Sequence, residues 1–202
     1  MQQGVVIGKT NVGKTLFTIN FASYCGVQEM HISFREPDGR RSSRVLQRED
    51  AAAELAGPEP HKTRRLQSIS LELPVGKGTR HLELVDTSGL TDYVHRDVEV
   101  RRAIAQSLAM IRDAALILHM VDAALVGESG PVAGLGEVDY QVAQFAQMRR
   151  GYAILANKMD LPAAARGLEL VRSEFAGHVI LPVSALHWLG FREVKQFVAH
   201  AL

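Results

Sequence analysis

Residues 8–15 (GKTNVGKT) have the glycine and lysine spacing of a phosphate-binding loop. The apolar run at residues 3–7 favours a buried strand and residues 16–24 favour a helix, so we expect the loop at a strand-to-helix turn. The unpaired amides and the positive dipole end of a helix N-terminus attract phosphate. We predict that Lys14 places a positive charge on the phosphates and that the Thr15 hydroxyl is a ligand of Mg²⁺. The alternative is a glycine-containing turn with a solvated lysine.

A second group of candidate residues follows a predicted β-hairpin. Residues 66–73 and 81–85 alternate apolar and polar side chains, as strands with one buried face do. The second strand ends in the sequence DTSG at residues 86–89. An acidic residue at the carboxyl end of a strand can hold Mg²⁺, which is the role expected of Asp86. Gly89 lets a backbone amide face the terminal phosphate. An Asp-x-x-Gly pattern is common by itself, and its position at the end of a strand strengthens the prediction of a functional role.

The tetrad NKMD at residues 157–160 follows a short apolar strand predicted at residues 152–156. A carboxylate at Asp160 can accept hydrogen bonds from the ring N–H and the exocyclic amine of guanine, whereas adenine lacks that amine. Such a site can reject the wrong base by roughly 10⁴-fold, because the carboxylate would be left unpaired. We expect Asn157 to brace the surrounding loops and the Lys158 stem to pack along the base. A helix N-cap would account for Asp160 but not for the whole tetrad.

A further strand, predicted at residues 179–183, ends in Ser184, Ala185 and Leu186. The amide of Ala185 could donate to the guanine carbonyl oxygen, although three residues of this kind are weak evidence by themselves. The helix that follows is expected to bury Trp188 in the core rather than present it to a ligand.

The segments between these motifs have the periodicity of regular structure. Asp122, at the end of a strand predicted at residues 114–121, has an equal chance of being structural or functional. The glycine-rich residues 127–136 lack phosphate-loop spacing and are expected to be a linker. Helices are predicted at residues 97–112, 138–149, 163–175 and from residue 187 onward.

The composition is typical of an ordinary globular domain, with 202 residues of which 47% are hydrophobic and 22% charged. We expect one domain with one core. The most apolar stretch, residues 114–121, is too short to span a bilayer, and we expect no secretion signal and a cytoplasmic protein. The single cysteine, Cys25, cannot form an internal disulfide. The net charge of +1 gives no strong indication of a partner.

Residues 26–62 are the most unusual segment of the chain. They separate Thr15 from Thr63 and include an alanine-rich stretch at residues 48–56 that can form one short helix. Residues 35–65 hold eight Lys or Arg and six Asp or Glu, a net charge of +2. We expect moderate to low order here. The segment is either a solvated surface loop or a mobile switch region that binds an acidic partner or RNA.

The ordered set GKTNVGKT, Thr63, DTSG, NKMD and SAL resembles the five nucleotide-binding motifs of the TRAFAC class of P-loop GTPases. It is most similar to the Era/Der/TrmE-like, HSR1-related branch with its 50S ribosome-binding type of G domain. The resemblance implies an α/β fold with a six-stranded, mostly parallel sheet, one antiparallel edge strand and helices on both faces. We therefore expect a single GTP-binding domain over residues 1–202, with an extended switch I insert at residues 26–62.

The resemblance also implies roles for individual residues. Thr15, Thr63 and Asp86 would hold Mg²⁺, and Lys14, Thr63 and Gly89 would act in catalysis. The loops around Thr63 and after Asp86 would be the two switches. The nucleotide, GTP or GDP, would be bound by Asn11, Val12, Gly13, Lys14, Thr15, Leu16, Asn157, Lys158, Asp160, Ser184, Ala185 and Leu186.

Hydrolysis is expected to be slow, because Leu90 stands where Ras-like proteins place a glutamine that orients the attacking water. The branch shares such an apolar residue, and some members use a potassium ion (K⁺) held in part by an asparagine at the place of Asn11. A cation there can stabilise transition-state charge as an arginine finger does. His95 and Arg96 are further candidates for positioning water, with a solvated loop edge as the alternative.

Several classes of function remain open. The first is a slow GTP hydrolase that acts as an assembly switch with a ribosomal or RNA-associated partner. The second is a GTP-responsive regulatory subunit of a dedicated protein complex, in which hydrolysis is incidental. A polymerising or membrane-remodelling GTPase is disfavoured because no long stalk, amphipathic anchor or lipidation signal is visible. An adenine-nucleotide enzyme is a distant fourth class, and the sequence does not indicate the oligomeric state.

Overall fold

A computed structural model describes the chain at residues 2–36, 38–56, 66–75, 78–87, 89–90, 109–147 and 149–202. Thr63, His95 and Arg96 have predicted roles and lie outside the described residues. The same is true of most of the helix predicted at residues 97–112, of which residues 109–113 are described and helical.

Eight strands in the described part of the chain form one sheet, with the spatial order β3-β2-β4-β5-β1-β6-β7-β8. Strands β5, β1, β6, β7 and β8 are parallel to one another. Strand β4 pairs antiparallel with β5, and β2 and β3 continue the sheet with antiparallel pairing. The strands are β1 (Gln2–Gly8), β2 (Glu29–Arg35), β3 (Arg41–Gln47), β4 (Leu66–Val75), β5 (Gly78–Asp86), β6 (Leu116–Asp122), β7 (Tyr152–Asn157) and β8 (Ile180–Pro182).

Helices cover both faces of this sheet because successive residues of each central strand point to opposite faces. On β1, for example, Val6 packs in one core cluster while Val5 and Ile7 pack in the other. Helices α1, α2 and α7 supply the first cluster, and α3, α5 and α6 supply the second. None of the described helices is long and apolar enough to cross a membrane. The helices with described bounds are α1 (Lys14–Tyr24), α2 (Arg48–Leu55), α3 (Ala123–Ser129), α4 (Pro131–Gly134), α5 (Glu137–Ala146), α6 (Ala164–Glu174) and α7 (Phe191–Ala201).

The predicted fold class is confirmed: the chain is an α/β protein with parallel strands at its centre and helices on both faces. The described sheet differs from the expected one in having eight strands rather than six. The antiparallel strand β4 is not the edge, because β2 and β3 lie beyond it.

Strands β2 and β3 and helix α2, which we call the hairpin–helix unit, correct the expectation of moderate to low order for the described part of residues 26–62. Met30, Ile32 and Phe34 alternate along β2 and are buried. Ala51 and Leu55 bury one side of α2 in the same core cluster. The alternation in β2 was visible in the sequence, but its pairing partner β4 lies more than thirty residues further along the chain.

Helices α3 and α4 correct the expectation that residues 127–136 are a linker. The glycines serve close packing: a Cβ atom on Gly127 would collide with the carbonyl oxygen of Ala163. A Cβ atom on Gly167 would collide in the same way with Ala123 of α3. Helices α3 and α6 therefore cross at a distance that only glycine permits.

We predict that Gly167→Ala lowers the free energy of unfolding by about 3 kcal/mol, because the added methyl group has no room. The opposing gain in helix propensity is at most about 1 kcal/mol. The measurement is urea unfolding of both proteins. Gly78→Ala is the matched control, since the nearest atom to its new Cβ would be 4.0 Å away. Equal losses in the two variants would contradict the crossing as the cause.

Candidate nucleotide-binding site

The carboxyl ends of neighbouring parallel strands meet at one edge of the sheet. Strand β5 ends at Asp86, β1 at Gly8, β6 at Asp122 and β7 at Asn157. The crevice beyond the carboxyl ends of parallel strands is where α/β sheets bind ligands. The sheet therefore gathers at this edge motifs that are far apart in sequence.

The loop at residues 9–13 joins β1 to α1, which is the strand-to-helix turn that the sequence predicts. Gly13 precedes the helix with φ 100°, in the left-handed region that favours glycine. A Cβ atom at this position would also collide with the side-chain nitrogen of Asn157. Asn11 has φ 61°, a conformation that asparagine tolerates better than most residues. The loop holds its amides in a conformation fixed by these two residues.

Lys14 is a desolvated cation at the start of α1. It is 6% exposed, and its Nζ donates to the carbonyl oxygen of Lys9 at 2.6 Å. Burial lowers the pKa of Lys14 to about 8, and the charges of Asp86 and Asp139 oppose that shift. An anionic ligand at this position would favour the charged ammonium further.

Thr15 and Asp86, two of the predicted magnesium ligands, are in direct contact. Thr15 Oγ1 donates to Asp86 Oδ2 at 2.6 Å. Burial raises the pKa of Asp86 to about 6, while the Thr15 hydrogen bond and the Lys14 charge act in the opposite direction. The other carboxylate oxygen, Oδ1, is buried and has no hydrogen-bond partner among the residues that the structure describes. A partnerless buried carboxylate oxygen beside a hydroxyl fits the oxygen ligands that Mg²⁺ prefers.

The end of the DTSG motif lies against the phosphate-binding loop. The Leu90 amide donates to the Gly8 carbonyl oxygen at 3.0 Å, and a Cβ atom on Gly89 would collide with Thr10. The Leu90 side chain is 1% exposed and packs in the core cluster. It therefore presents no polar group to the site.

Asn157 joins two loops of this edge. Its Nδ2 donates to the Val12 carbonyl oxygen at 2.7 Å, and its Oδ1 accepts from the Ala185 amide at 2.9 Å. The side chain is 2% exposed, so both bonds are shielded from water. The same Ala185 amide was expected to face a guanine oxygen, and in this structure it is already engaged by Asn157. A bound base would have to share that donor.

Asp160 is exposed, and one oxygen of its carboxylate is oriented by a hydrogen bond from Ser184. Ser184 Oγ donates to Asp160 Oδ1 at 2.5 Å, and the same hydroxyl oxygen accepts from the His187 amide at 3.1 Å. Leu186 follows with 59% of its surface exposed. This part of the edge combines an oriented carboxylate acceptor with an exposed apolar side chain, two kinds of group that occur together in ligand sites.

Lys158 and Asp122 form a contact that the sequence did not indicate. Lys158 Nζ lies 2.5 Å from Asp122 Oδ2. The other oxygen of Asp122 accepts from the Leu125 amide at 3.0 Å, so Asp122 also caps helix α3. Asp122 is therefore both structural and able to hold the Lys158 side chain in place.

A buried polar chain behind the phosphate-binding loop was also missed. His119 Nε2 lies 2.9 Å from Asp139 Oδ1, and His119 Nδ1 lies 3.0 Å from Tyr152 Oη. Asp139 Oδ2 accepts from the Gly136 amide at 2.9 Å. The only sequence signal was a histidine inside an apolar strand. These hydrogen bonds fix the start of α5 against β6. Asp139 is close enough to Lys14 for its charge to influence the pKa of Lys14.

The structure thus brings most predicted site residues to one edge of the sheet. Leu16 lies in the first turn of α1 with its side chain packed against the core. Thr63 lies outside the described residues. Those placed at the edge are Asn11, Val12, Gly13, Lys14, Thr15, Asp86, Gly89, Asn157, Lys158, Asp160, Ser184, Ala185 and Leu186.

We predict that Asp122→Asn weakens GDP binding about fivefold, because the ion pair that positions Lys158 is lost. Asparagine keeps an oxygen for the Leu125 amide, so the cap of α3 and the melting temperature should be retained. Affinity is measured by titration with fluorescent mant-GDP. Glu128→Gln, which removes a charge from an exposed position of the same helix, serves as the control. Wild-type affinity in Asp122→Asn would refute the role of the ion pair.

Comparison with known proteins is consistent with this geometry. A family model described as 50S ribosome-binding GTPase matches residues 43–158, more than half of the chain. The GTPase Obg of Bacillus velezensis is 26% identical over 126 residues, which are 61% of this chain and 29% of that protein. The chain therefore spans less than a third of this curated relative.

Solved structures have the same fold. Aquifex aeolicus Era bound to GDP·AlF₄⁻ aligns with a TM-score of 0.67 at 20% identity, over 100% of this chain and 57% of that one. Era in complex with MgGDPNP and a 16S ribosomal RNA segment aligns with a TM-score of 0.66 at 19% identity, over 100% of this chain and 57% of that one. The G domain of the Thermotoga maritima FeoB iron transporter aligns with a TM-score of 0.57 at 15% identity, over 100% of this chain and 98% of that one. The matched family, together with the motifs gathered at the sheet edge, shows that the chain belongs to the 50S ribosome-binding GTPase family.

Proposed function

We propose that the protein is a Mg²⁺-dependent switch that binds GTP and hydrolyses it slowly to GDP and phosphate. The observation that carries this proposal is the contact of Thr15 with Asp86, whose other buried carboxylate oxygen has no partner within the described part of the chain. Lys14 lies beside this pair at the start of α1. A cation site next to a lysine and a helix N-terminus suits a nucleotide phosphate chain.

Different residues at this edge would bind the phosphates, the metal and the base. Lys14 and the first amides of α1 would bind the phosphates, and Thr15 and Asp86, with Thr63, would hold Mg²⁺. When bound, Mg²⁺ would neutralise negative charge on the phosphates. Asp160, oriented by Ser184, would accept from the guanine ring.

Slow turnover follows from the Leu90 side chain, which is buried in the core. Hydrolysis requires a water oriented toward the γ-phosphate, so that the new P–O bond forms as the bond to the β-phosphate oxygen breaks. Leu90 cannot orient that water through its side chain. We propose that K⁺ near Asn11 supplies part of the missing transition-state stabilisation.

We expect GTP turnover on the order of 10⁻³ per second in Mg²⁺ and KCl, slower in NaCl, and little ATP turnover. Phosphate release at saturating nucleotide measures this rate. Asn11→Ala should remove the difference between the two salts, and equal wild-type rates in KCl and NaCl would refute the potassium hypothesis alone.

A separate variant, Asp86→Asn, tests the Mg²⁺ dependence of nucleotide binding. It keeps an acceptor oxygen for Thr15 and removes the carboxylate charge. Mant-GDP binding by this variant should be the same in Mg²⁺ and in EDTA, because Mg²⁺ loses its anionic ligand. If the wild-type protein binds ATP as tightly as GTP, the guanine switch is refuted.

We also propose a ribosomal or RNA-associated partner, and we place its contact on the hairpin–helix unit. Arg35 and Arg41 lie directly opposite each other on β2 and β3. Neither has an ion-pair partner within the described part of the chain. Like charges in cross-strand pairs are unfavourable unless an anion lies between them. The two arginines line one side of a cleft with a volume of about 370 Å³, which is also lined by Ser33, Ser43 and Glu83.

The position of this cleft links it to the nucleotide edge. Strand β2 runs antiparallel to β4, which runs antiparallel to β5, so Arg35 and Asp86 lie at the same end of the sheet. The family description and the Era complex with 16S ribosomal RNA support RNA as the anionic partner. Two arginines suit phosphate oxygens because their planar donors bind them in pairs.

We predict that the double variant Arg35→Ala/Arg41→Ala binds a 16S ribosomal RNA fragment of nucleotides 1506–1542, the segment in the Era complex, at least about tenfold more weakly than wild type. The slope of log affinity against log salt should fall by about 2, one for each lost phosphate contact. Binding is measured by fluorescence anisotropy with a non-hydrolysable GTP analogue present.

Arg172→Ala/Arg192→Ala is the charge-matched control, because both residues are exposed and pair with acidic neighbours on helices. Equal losses in the two double variants would refute the cleft as the contact. Capture of one protein from lysate regardless of nucleotide would instead favour a regulatory subunit of a dedicated complex.

A further inference from the structure

The peptide units around Ala185 are held from both sides by buried asparagine side chains. Asn157 Oδ1 accepts from the Ala185 amide at 2.9 Å, and Asn20 Nδ2 donates to the Ala185 carbonyl oxygen at 2.8 Å. Asn20 lies on α1 and is 2% exposed. It is a buried amide next to the buried apolar residues Ile19 and Phe21, and it belongs to none of the nucleotide-binding motifs.

The orientation of the Asn20 amide follows from its two partners. A carbonyl oxygen only accepts, so the nitrogen of Asn20 faces Ala185. The opposite atom, Oδ1, accepts from Arg48 Nη1 at 3.3 Å, and a guanidinium only donates. Both ends of the buried amide are therefore satisfied, and the second partner comes from the hairpin–helix unit.

Arg48 makes a second contact with the same loop. Its guanidinium carbon lies 5.8 Å from the centroid of the Trp188 ring, within the range of a cation–π interaction. Trp188 has φ 61°, a left-handed conformation that a bulky residue adopts only when its surroundings enforce it. Its ring stacks on Phe191 with centroids 6.1 Å apart. Arg48 is thus part of what holds the loop after Ala185 in a strained conformation.

A continuous hydrogen-bonded chain results. It runs from the Val12 carbonyl through Asn157, the Ala185 backbone and Asn20 to Arg48, with donor–acceptor distances of 2.7, 2.9, 2.8 and 3.3 Å. The phosphate-binding loop, the loop predicted to contact guanine and helix α2 are therefore joined in one network. A change in the position of Ala185 must alter the Arg48 end of that network.

We infer that Asn20 and Arg48 are positioning residues for guanine nucleotides, which fix Ala185 and thereby couple base binding to the hairpin–helix unit. The inference rests on the proposed function, because it takes guanine as the ligand of this loop. Removal of Arg48 leaves the Asn20 oxygen without its donor and Trp188 without its cation. The loop then loses its fixed position and releases nucleotide faster, whereas Thr15 and Asp86 at the phosphate end keep their contact.

The test uses the single tryptophan of the chain, Trp188, as an internal probe. Addition of GDP to the wild-type protein should change its intrinsic fluorescence, because base binding acts on the loop beside it. In Arg48→Ala we expect this change to be lost and mant-GDP to dissociate about tenfold faster in a chase with unlabelled GDP. Arg48→Lys restores a cation and a donor and should give an intermediate rate.

Arg44→Ala is the matched control within the same unit, since Arg44 pairs with Glu54 of α2, and within the described part of the chain it is Arg48 that contacts Asn20 and Trp188. Its dissociation rate should stay within about twofold of wild type. Arg48→Ala should accelerate nucleotide dissociation and leave the rate of a single GTP turnover at saturation unchanged. Asn20→Ala, if it folds, should dissociate at least as fast as Arg48→Ala.

Two results would overturn the inference. One is a wild-type dissociation rate and fluorescence change in Arg48→Ala. The other is an equal acceleration in Arg44→Ala with an equal loss of melting temperature, which would assign the effect to general loosening of the unit. Failure of the wild-type protein to bind GDP would refute the proposed function itself, and that outcome is separate from both.

Discussion

Lys14 and Asp86 are a cation and a carboxylate buried near each other at the edge of the sheet, and the organisation of this edge depends on that burial. Burial acts on both toward neutrality, since it lowers the pKa of Lys14 and raises the pKa of Asp86. The two charges attract each other, and each residue also makes one direct hydrogen bond. Lys14 donates to the Lys9 carbonyl oxygen, and Asp86 accepts from the Thr15 hydroxyl. Buried charges cost free energy unless they are paired, and one oxygen of Asp86 has no partner among the described residues, which is why we propose that a ligand group binds there.

Buried amide side chains hold the loops around this pair through hydrogen bonds to the loop backbones. Asn157 ties the phosphate-binding loop to Ala185, and Asn20 ties Ala185 to helix α1. A ligand that meets groups already in position loses less free energy to ordering them. The same network of hydrogen bonds continues to Arg48. The hairpin–helix unit, which extends the sheet beyond β4, is therefore connected to the site.

Motifs that depend on local geometry could be predicted, whereas structure that depends on distant partners could not. Lys14 and Asp86 were identified because a loop or an acid directly after a strand is visible in sequence order. Residues 127–136 were taken for a linker because glycine usually breaks helices, but Gly127 serves instead for the close crossing of α3 and α6. The order of the hairpin–helix unit was missed because β2 is stabilised by pairing with β4, which is distant in sequence.

The sequence alone determined the chemical groups of the site and the class of fold, because residue type and short spacing decide which groups follow which strand. The tertiary structure decided how those groups are held. The Lys158–Asp122 ion pair and the Asn20–Ala185 hydrogen bond join residues 36 and 165 positions apart, respectively, by number in the chain. Such contacts are set by the order of strands in the sheet and by the burial of the helices between them, and no local pattern of residues contains that information.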